Sequence, residues 1–322
     1  MIISKTPLRI SFVGGGTDID RYYEKGYGAV VSAAINKYIY VTVHKRFDST
    51  VRLSYAHTEI VQHADELKHD IVKACLEMVG IDSGIEITTI GEVPAGTGMG
   101  SSSTLTVGLL NALYAYQGIS VSSQELMEKA FEIEINRLHQ PIGKQDQAAA
   151  AYGGLNYFKF CADGTVERDR IHLKQDDFKE LESNLMLFYT GLTHKAGQIL
   201  EEQRRDTDQH LASMDEMRNQ ADFLHEQLSA NGFGPYFGEL LHKGWELKKA
   251  LAGGISNPEI NRLYECAMSA GARGGKLLGA GGGGFLLLYC DHDRKEALRQ
   301  ALNLTQMDFR VARYGSRIVY ID

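Results

Sequence analysis

Three glycines alternate with other residues and then run into three serines in Pro94-Ala95-Gly96-Thr97-Gly98-Met99-Gly100-Ser101-Ser102-Ser103-Thr104. Glycine lets a backbone turn its N–H groups toward a ligand with no Cβ in the way. A strand-like run, Ile85 to Ile90, leads in, and an apolar helical run, Leu105 to Tyr116, follows. The start of that helix adds unpaired N–H groups and the positive end of a dipole. Serine hydroxyls can bond phosphate oxygens or hold Mg²⁺. The pattern predicts a phosphate cradle; a ligand-free Gly/Ser helix cap is the plain alternative. It is not a Walker A loop, because no lysine follows the glycines.

Three further groups could act with it. Glu134 lies late on a predicted helix, and Asp146 opens the next one in Gly143-Lys144-Gln145-Asp146-Gln147. Both carboxylates have apolar neighbours, where an unpaired charge is costly. One could hold Mg²⁺ while the other takes a proton from a hydroxyl; a capping Asp and a solvent-facing Glu are the alternative. In Arg9-Ile10-Ser11-Phe12-Val13-Gly14-Gly15-Gly16-Thr17-Asp18, Arg9 is a cation on an apolar strand. Asp18 lies just past a glycine turn, where it could bond sugar hydroxyls or simply cap the turn. The run Gly279 to Gly284 fits Gly-x-Gly-x-x-Gly, but a strand follows it rather than a helix, so it is not a dinucleotide fingerprint. Its glycines suit a loop that closely approaches a ligand or another loop, or else a tight hairpin. Thr193-His194-Lys195 opens a helix after the strand Leu185 to Tyr189, a fair anion site or a simple capped start. His57, His63 and His69 match no zinc spacing and are expected at the surface.

The elements that must carry these groups follow from hydrophobic periodicity. Strands are predicted at 2–13, 29–35, 38–44, 51–55, 155–160, 185–189 and 285–289, with two more closing the chain. Helices are predicted at 67–79, from Ser122 to about Leu138, and at 143–152, 237–251, 258–270 and 294–302. A single long polar helix is expected over 194–228, with Glu201 and Arg205 paired at i, i+4. Strands dominate early and helices late, which indicates an α+β fold of two lobes, divided as 1–170 and 171–322. The chain has 322 residues, 43% of them apolar, enough for a full core. A net charge of −7 without a basic block argues against nucleic-acid binding. Cys75, Cys161, Cys266 and Cys290 are far apart and read as free thiols. No apolar run suits a membrane span and no signal-peptide pattern opens the sequence, so a cytoplasmic location is expected.

Taken in order, the glycine and carboxylate elements resemble the GHMP small-molecule kinases, which include galactokinase, homoserine kinase and mevalonate kinase. Thr6 to Asp18 looks like the family's first motif, Pro94 to Ser103 its second, and Lys276 to Gly284 its third. The Gly14–Asp18 turn and Ala34 to Tyr40 look most like the heptose 7-phosphate kinases of nucleotide-sugar synthesis. Gly15 and Gly16 stand where the galactokinase motif has Glu-His, which speaks against galactose. The resemblance implies a ribosomal-protein-type N-terminal lobe and a ferredoxin-like C-terminal lobe, with ATP and Mg²⁺ as cofactors. It implies Asp146 as base and Arg9 as the cation on the transferring phosphoryl group. ATP would lie on Pro94, Gly96, Thr97, Gly98, Met99, Gly100, Ser101, Ser102 and Ser103, and Mg²⁺ on Ser102 and Glu134. The acceptor would meet Asp18, Gly15, Gly16, Thr17, Gly281 and Gly282. An acceptor phosphate would meet Thr193, His194 and Lys195, with Lys144 and Arg21 as further candidates. The implied reaction is phosphorylation of the anomeric hydroxyl of a heptose 7-phosphate. A fucokinase-type enzyme on a free sugar, a mevalonate-pathway kinase and a non-catalytic ligand sensor are the alternatives. Monomer and homodimer both remain open.

Overall fold

Strand Ile2–Val13 is buried along most of its length, its polar Ser4, Thr6, Arg9 and Ser11 included. In the computed structural model, which describes residues 1–192 and 196–322, it is an inner strand of an eight-stranded sheet. It pairs antiparallel with Arg317–Ile321 on one side and Tyr27–Lys45 on the other. Tyr27–Lys45 is one strand of 19 residues where the sequence predicts two. Asn36 keeps the middle extended, because its N–H donates to the Arg310 carbonyl at 2.8 Å and its side-chain oxygen accepts from the Arg310 N–H at 2.7 Å. The first half of this strand pairs with Leu155–Cys161, which pairs with Val166–Arg170. The second half pairs with Ile85–Gly91, and Val51–Ser54 and Thr58–Val61 complete that side.

The helix Ser101–Tyr116 packs against Ile2–Val13 and Tyr27–Lys45, with helices Asp70–Val79, Ser123–Phe131 and Gln145–Tyr152 around it. Its residues 106–113 are all buried, so it lacks a polar face. Ser122 starts the next helix with a reciprocal cap: its N–H donates to Glu125 Oε2 at 2.8 Å and its hydroxyl accepts from the Glu125 N–H at 3.2 Å.

A second, antiparallel sheet runs in the order Thr305–Met307, Leu185–Tyr189, Phe285–Cys290, Ala272–Leu277. Its inner strands bury both faces. Leu185 and Leu187 join the core shared with the first sheet, whereas Met186 and Phe188 join a second core with Trp245, Leu263 and Leu298. This accounts for the unbroken apolar runs at 185–188 and 285–290. The fold is the α+β, two-sheet fold that the resemblance implies. The two sheets do not follow one cut in the chain, since Arg317–Ile321 returns to the first.

The long polar helix is corrected. Ala196–Arg205 and Leu211–Ala230 are separate helices, divided by a 3₁₀ turn at Thr207–Gln209. Thr207 is fully buried and returns its hydroxyl to the Gln203 carbonyl at 3.0 Å, a local bond that competes with the helical ladder. Arg205 pairs with Asp206 at 2.9 Å and not with Glu201. The four cysteines are free; Cys75 and Cys290 are buried, and the other two are partly so. His69 is half-buried against Tyr55, with ring centroids 5.0 Å apart, and is not a surface histidine. Among the described residues, no helix is long and apolar enough to cross a membrane.

Candidate active site

Arg9 enters the interior on its apolar strand and must be paired there. Its Nε and Nη2 donate to Asp146 Oδ1 and Oδ2 at 2.7 and 2.8 Å, a two-pronged ion pair, and Nη1 donates to the Gly98 carbonyl at 2.6 Å. Asp146 sits in the first turn of Gln145–Tyr152, whose start is held from outside by Asp18. Asp18 Oδ2 accepts from the Gln145 N–H at 3.1 Å, and Oδ1 accepts from the Gly16 N–H and Gln145 Nε2 at 2.9 and 3.0 Å. Asp18 is thus a remote cap for the helix that carries Asp146, with about one of four lone-pair positions left for a ligand. Burial raises its pKa above the ordinary carboxylate value, the Gly16 and Gln145 amides oppose that, and the Asp146 charge adds to it.

Glu134 lies in a π-helical turn, Glu132–Arg137, that follows helix Ser123–Phe131 and aims its carboxylate inward. It is fully buried and accepts from Ser102 Oγ at 3.0 Å and Gln147 Nε2 at 2.7 Å. Burial pushes it up to about 7, against the lowering effect of Ser103, Ser102 and Gln147.

The loop before Ser101–Tyr116 divides its residues between two sides. Gly96, Gly98, Gly100 and Ser101 to Ser103 line a cavity of about 210 Å³. Thr97 and Met99 point into the protein: Thr97 Oγ1 donates to the Pro94 carbonyl at 2.9 Å, and the Met99 carbonyl accepts the Arg9 N–H at 3.2 Å. Gly100 precedes the helix in the left-handed region, φ 74°, and no side chain caps the first turn. The helix therefore presents its free N–H groups to the cavity.

Arg9, Asp18, Asp146 and Gly16 line the same cavity, with Ser11, Gln145, Gln203, Lys248, Lys276, Gly279 and Ala280. Four buried polar atoms of this lining, Ser11 Oγ, Ser101 Oγ, Gln145 Oε1 and Gln203 Nε2, have no hydrogen-bond partner among the described residues. Orphaned donors and acceptors around one space fit a polar ligand. Ser102 lines the cavity, and Glu134 is fully buried behind it and accepts its hydroxyl; two such oxygens would suit Mg²⁺ that takes its other ligands from phosphates and water. No cluster of three or more His, Cys, Asp or Glu side chains suited to a metal occurs among the described residues. A second cavity of about 470 Å³ shares Gly96, Ser101 and Ser102 with the first and is lined by Ile39, Tyr55, His69, Val93 and Leu105. Its apolar walls fit a flat base attached to the phosphates.

Other expected contacts lie off the cavity. Thr17 is buried and ties the turn together, donating to the Gly14 carbonyl at 2.9 Å and accepting from the Ala29 N–H at 3.0 Å. Gly15 backs onto Ser11 and Gln145. Gly281 abuts the Ile255 backbone, and the Gly282 N–H donates to the Ile255 carbonyl at 3.0 Å, so neither lines the cavity. Lys144 turns to the Gly164 carbonyl at 2.6 Å. Arg21 pairs with Asp208 at 2.9 Å and lines a neighbouring cavity of about 530 Å³ with Arg204, Arg205 and His139. Thr193, His194 and Lys195 lie outside the described residues. Sequence reasoning missed Gln203, Lys248 and Lys276 as lining residues. A signal existed for Lys248, which falls at helical spacing from the buried Leu241 and Trp245 and so lies on the apolar stripe of its helix.

This chain belongs to the GHMP kinases. Residues 66–154 match the GHMP kinases N terminal domain and residues 224–306 the GHMP kinases C terminal. It is accordingly an ATP-dependent phosphotransferase with an alcohol group as acceptor, of a family that uses ATP with Mg²⁺. Among relatives, it is 33% identical to D-glycero-alpha-D-manno-heptose 7-phosphate kinase of Campylobacter jejuni, over 98% of this chain and 97% of that one. It is 28% identical to L-fucokinase/L-fucose-1-P guanylyltransferase of Bacteroides fragilis, over 95% of this chain but 36% of that longer protein. The crystal structure of a D-glycero-D-manno-heptose 1-phosphate kinase from Bacteroides thetaiotaomicron superposes over the whole of both chains with a TM-score of 0.83 at 26% identity.

Proposed function

We propose that this kinase transfers the γ-phosphoryl group of Mg·ATP to the anomeric hydroxyl of D-glycero-D-manno-heptose 7-phosphate, giving the 1,7-bisphosphate. The observation that carries the reading is the pairing of buried Arg9 with partly buried Asp146, set in one cavity between Asp18 and the uncapped serine turn. Phosphoryl transfer needs positioning and charge neutralisation more than covalent chemistry. Asp146 takes the proton of the acceptor hydroxyl, and Arg9 holds that carboxylate and faces the transferring group. Ser101 and the N–H groups of the turn hold phosphates; Ser102 and Glu134 hold Mg²⁺. Asp18, Gly16, Gln145 and Gln203 meet the sugar hydroxyls. The acceptor's own phosphate is assigned to Thr193, His194 and Lys195. The lobes are taken as 1–170, completed by 317–321, against the intervening chain. Likeness to the Campylobacter jejuni kinase over nearly all of both chains supports the choice of acceptor.

A second reading, phosphorylation of a free sugar such as fucose, is favoured by the fucokinase relative. ADP release should be measured with Mg·ATP against heptose 7-phosphate, free heptose, fucose, galactose and mevalonate. Turnover confined to the heptose phosphate is expected; turnover with a free sugar keeps the kinase and discards this acceptor. In the same assay Asp146→Asn should lose turnover by about 1000-fold while still binding ATP. Full activity in that variant would remove Asp146 as the base.

A further inference from the structure

Two cations flank the seam where the two glycine-rich loops touch. Arg9 Nη1 donates to the Gly98 carbonyl at 2.6 Å, and Lys248 Nζ donates to the Gly279 carbonyl at 2.5 Å. Gly98 and Gly279 approach so closely that a Cβ on either would overlap the backbone of the other loop. Both cations line the cavity that also holds Asp146, Asp18 and the serines at 101–103.

Their charges are committed differently. Arg9 is matched two-to-two by Asp146, so that pair adds little net charge. Lys248 is only 6% exposed, has no carboxylate at ion-pair distance among the described residues, and uses one of its three N–H groups. A buried ammonium of this kind is costly unless an anion meets it. Lys276 lies nearby, with Nζ donating to the Phe12 carbonyl at 3.0 Å. Burial, then Lys248 and Arg9, hold Lys276 well below the ordinary lysine range. Burial and Arg9 bring Lys248 down to about 8, with Asp18 and Asp146 opposing, so it keeps its proton at neutral pH.

We propose that Lys248 is a further catalytic residue: its two free N–H groups contact the oxygens of the phosphoryl group in transit, from the side of the seam opposite Arg9. The proposal rests on the cavity being the phosphoryl-transfer site. The acceptor oxygen forms a bond to the γ-phosphorus as the bond to the β–γ bridging oxygen breaks. ADP leaves with that electron pair, and the acceptor proton goes to the Asp146 carboxylate. Lys248 keeps its protons throughout and offsets charge on the phosphoryl oxygens, where a fixed donor in a dry site acts most strongly.

If Lys248 only pinned the second glycine loop through Gly279, its loss would act on stability and nucleotide affinity and spare kcat at saturation. Lys248→Met, Lys248→Gln and Lys248→Arg should be compared in the full chain by ADP release with heptose 7-phosphate, Mg·ATP calorimetry and thermal unfolding. In Lys248→Met, kcat should fall about 100-fold, as on loss of one charge-stabilising donor. Its Kd for Mg·ATP should stay within about threefold of wild type. Lys248→Arg should recover at least about a tenth of wild-type kcat, since a guanidinium still brings charge and donors. Should Lys248→Met unfold, Lys248→Gln, which keeps a donor for Gly279 and removes the charge, is judged by the same criteria. A variant without the charge whose kcat stays within about threefold of wild type overturns the proposal, as does a loss confined to the KM for ATP. A wild-type chain that binds Mg·ATP and turns over no acceptor overturns the parent reading and this one with it.

Discussion

The two glycine-rich loops meet at Gly98 and Gly279 but put most of their glycines to different uses. In the loop before Ser101–Tyr116, the glycines at 96, 98 and 100 face the cavity and the residues between them face the protein. In the run from Gly279 to Gly284, only the first glycine reaches the cavity, beside Ala280. Gly281 meets the backbone at Ile255, Gly283 meets it at Leu192, and Gly284 meets it at Thr97. The first loop leaves out side chains chiefly so that a ligand can approach, with Gly98 also admitting the backbone at Leu278 and Gly279; the second leaves them out so that the protein's own backbone can. The element that follows tells them apart. The first loop opens into a helix whose leading N–H groups lack partners, and the second into the strand Phe285–Cys290, whose backbone groups are paired on both sides.

The contrast can be broken by substitution. The largest effect is expected at Gly284, where φ is 102° and a Cβ would strike the Thr97 carbonyl. Gly284→Ala should cost about 4 kcal/mol of stability, from backbone strain plus overlap, read by denaturant unfolding. An unchanged unfolding curve with weakened ATP binding would make the second loop a ligand loop as well. Next is Glu134, the buried charge beneath the first loop. Its folded value near 7 lies above the ordinary 4.5, so without Mg²⁺ the folded state holds its proton more tightly and stability falls as pH rises from 4.5 to 7. The penalty is complete above 7, at most about 3 kcal/mol. Glu134→Gln should therefore melt higher than wild type at pH 8 and lose that gain by pH 4.5, even as it weakens Mg·ATP use. A gain independent of pH would refute the charged-state penalty.

Gly100→Ala should separate rate from stability. The new Cβ would sit 3.1 Å from Asp146 Oδ2 and 3.4 Å from Arg9 Cγ. We expect kcat to fall about 100-fold through misplacement of that pair, while stability drops by only about 1 kcal/mol for a left-handed alanine. Equal damage to both would mean that the first loop, like the second, is mainly packing. The smallest effect is Ser102→Ala, which removes one contact to Glu134 and, on the proposed function, one oxygen for Mg²⁺. It should raise the KM for Mg·ATP about 10-fold with kcat largely kept. Unchanged ATP kinetics would take Ser102 out of the metal site.

What was legible in the sequence was what is local. Ile2–Val13, Asp70–Val79, Leu185–Tyr189 and the serine turn announce themselves through periodicity and glycine spacing within a dozen residues. Asp146 and Glu134 could be singled out because a carboxylate among apolar neighbours demands a partner. Their partners are distant in the chain, and so the Arg9 fork, the Gln147 bond and the capping of Gln145–Tyr152 by Asp18 emerge only from packing. Gln203 was hidden in a supposed continuous helix, because the Thr207 back-bond that ends Ala196–Arg205 leaves no proline or glycine as a marker. Lys248 stands in a Lys-Lys pair that reads as solvated until the buried face of its helix is drawn.

Strand Arg317–Ile321 completes the edge of Ile2–Val13 from far along the chain. During synthesis the sheet that supports Arg9 must wait, one edge bare, until all of the chain between these two strands has left the ribosome. An unpaired edge beside buried apolar residues invites association between nascent chains. The order of translation thus gives chaperones a defined interval and a defined edge to guard.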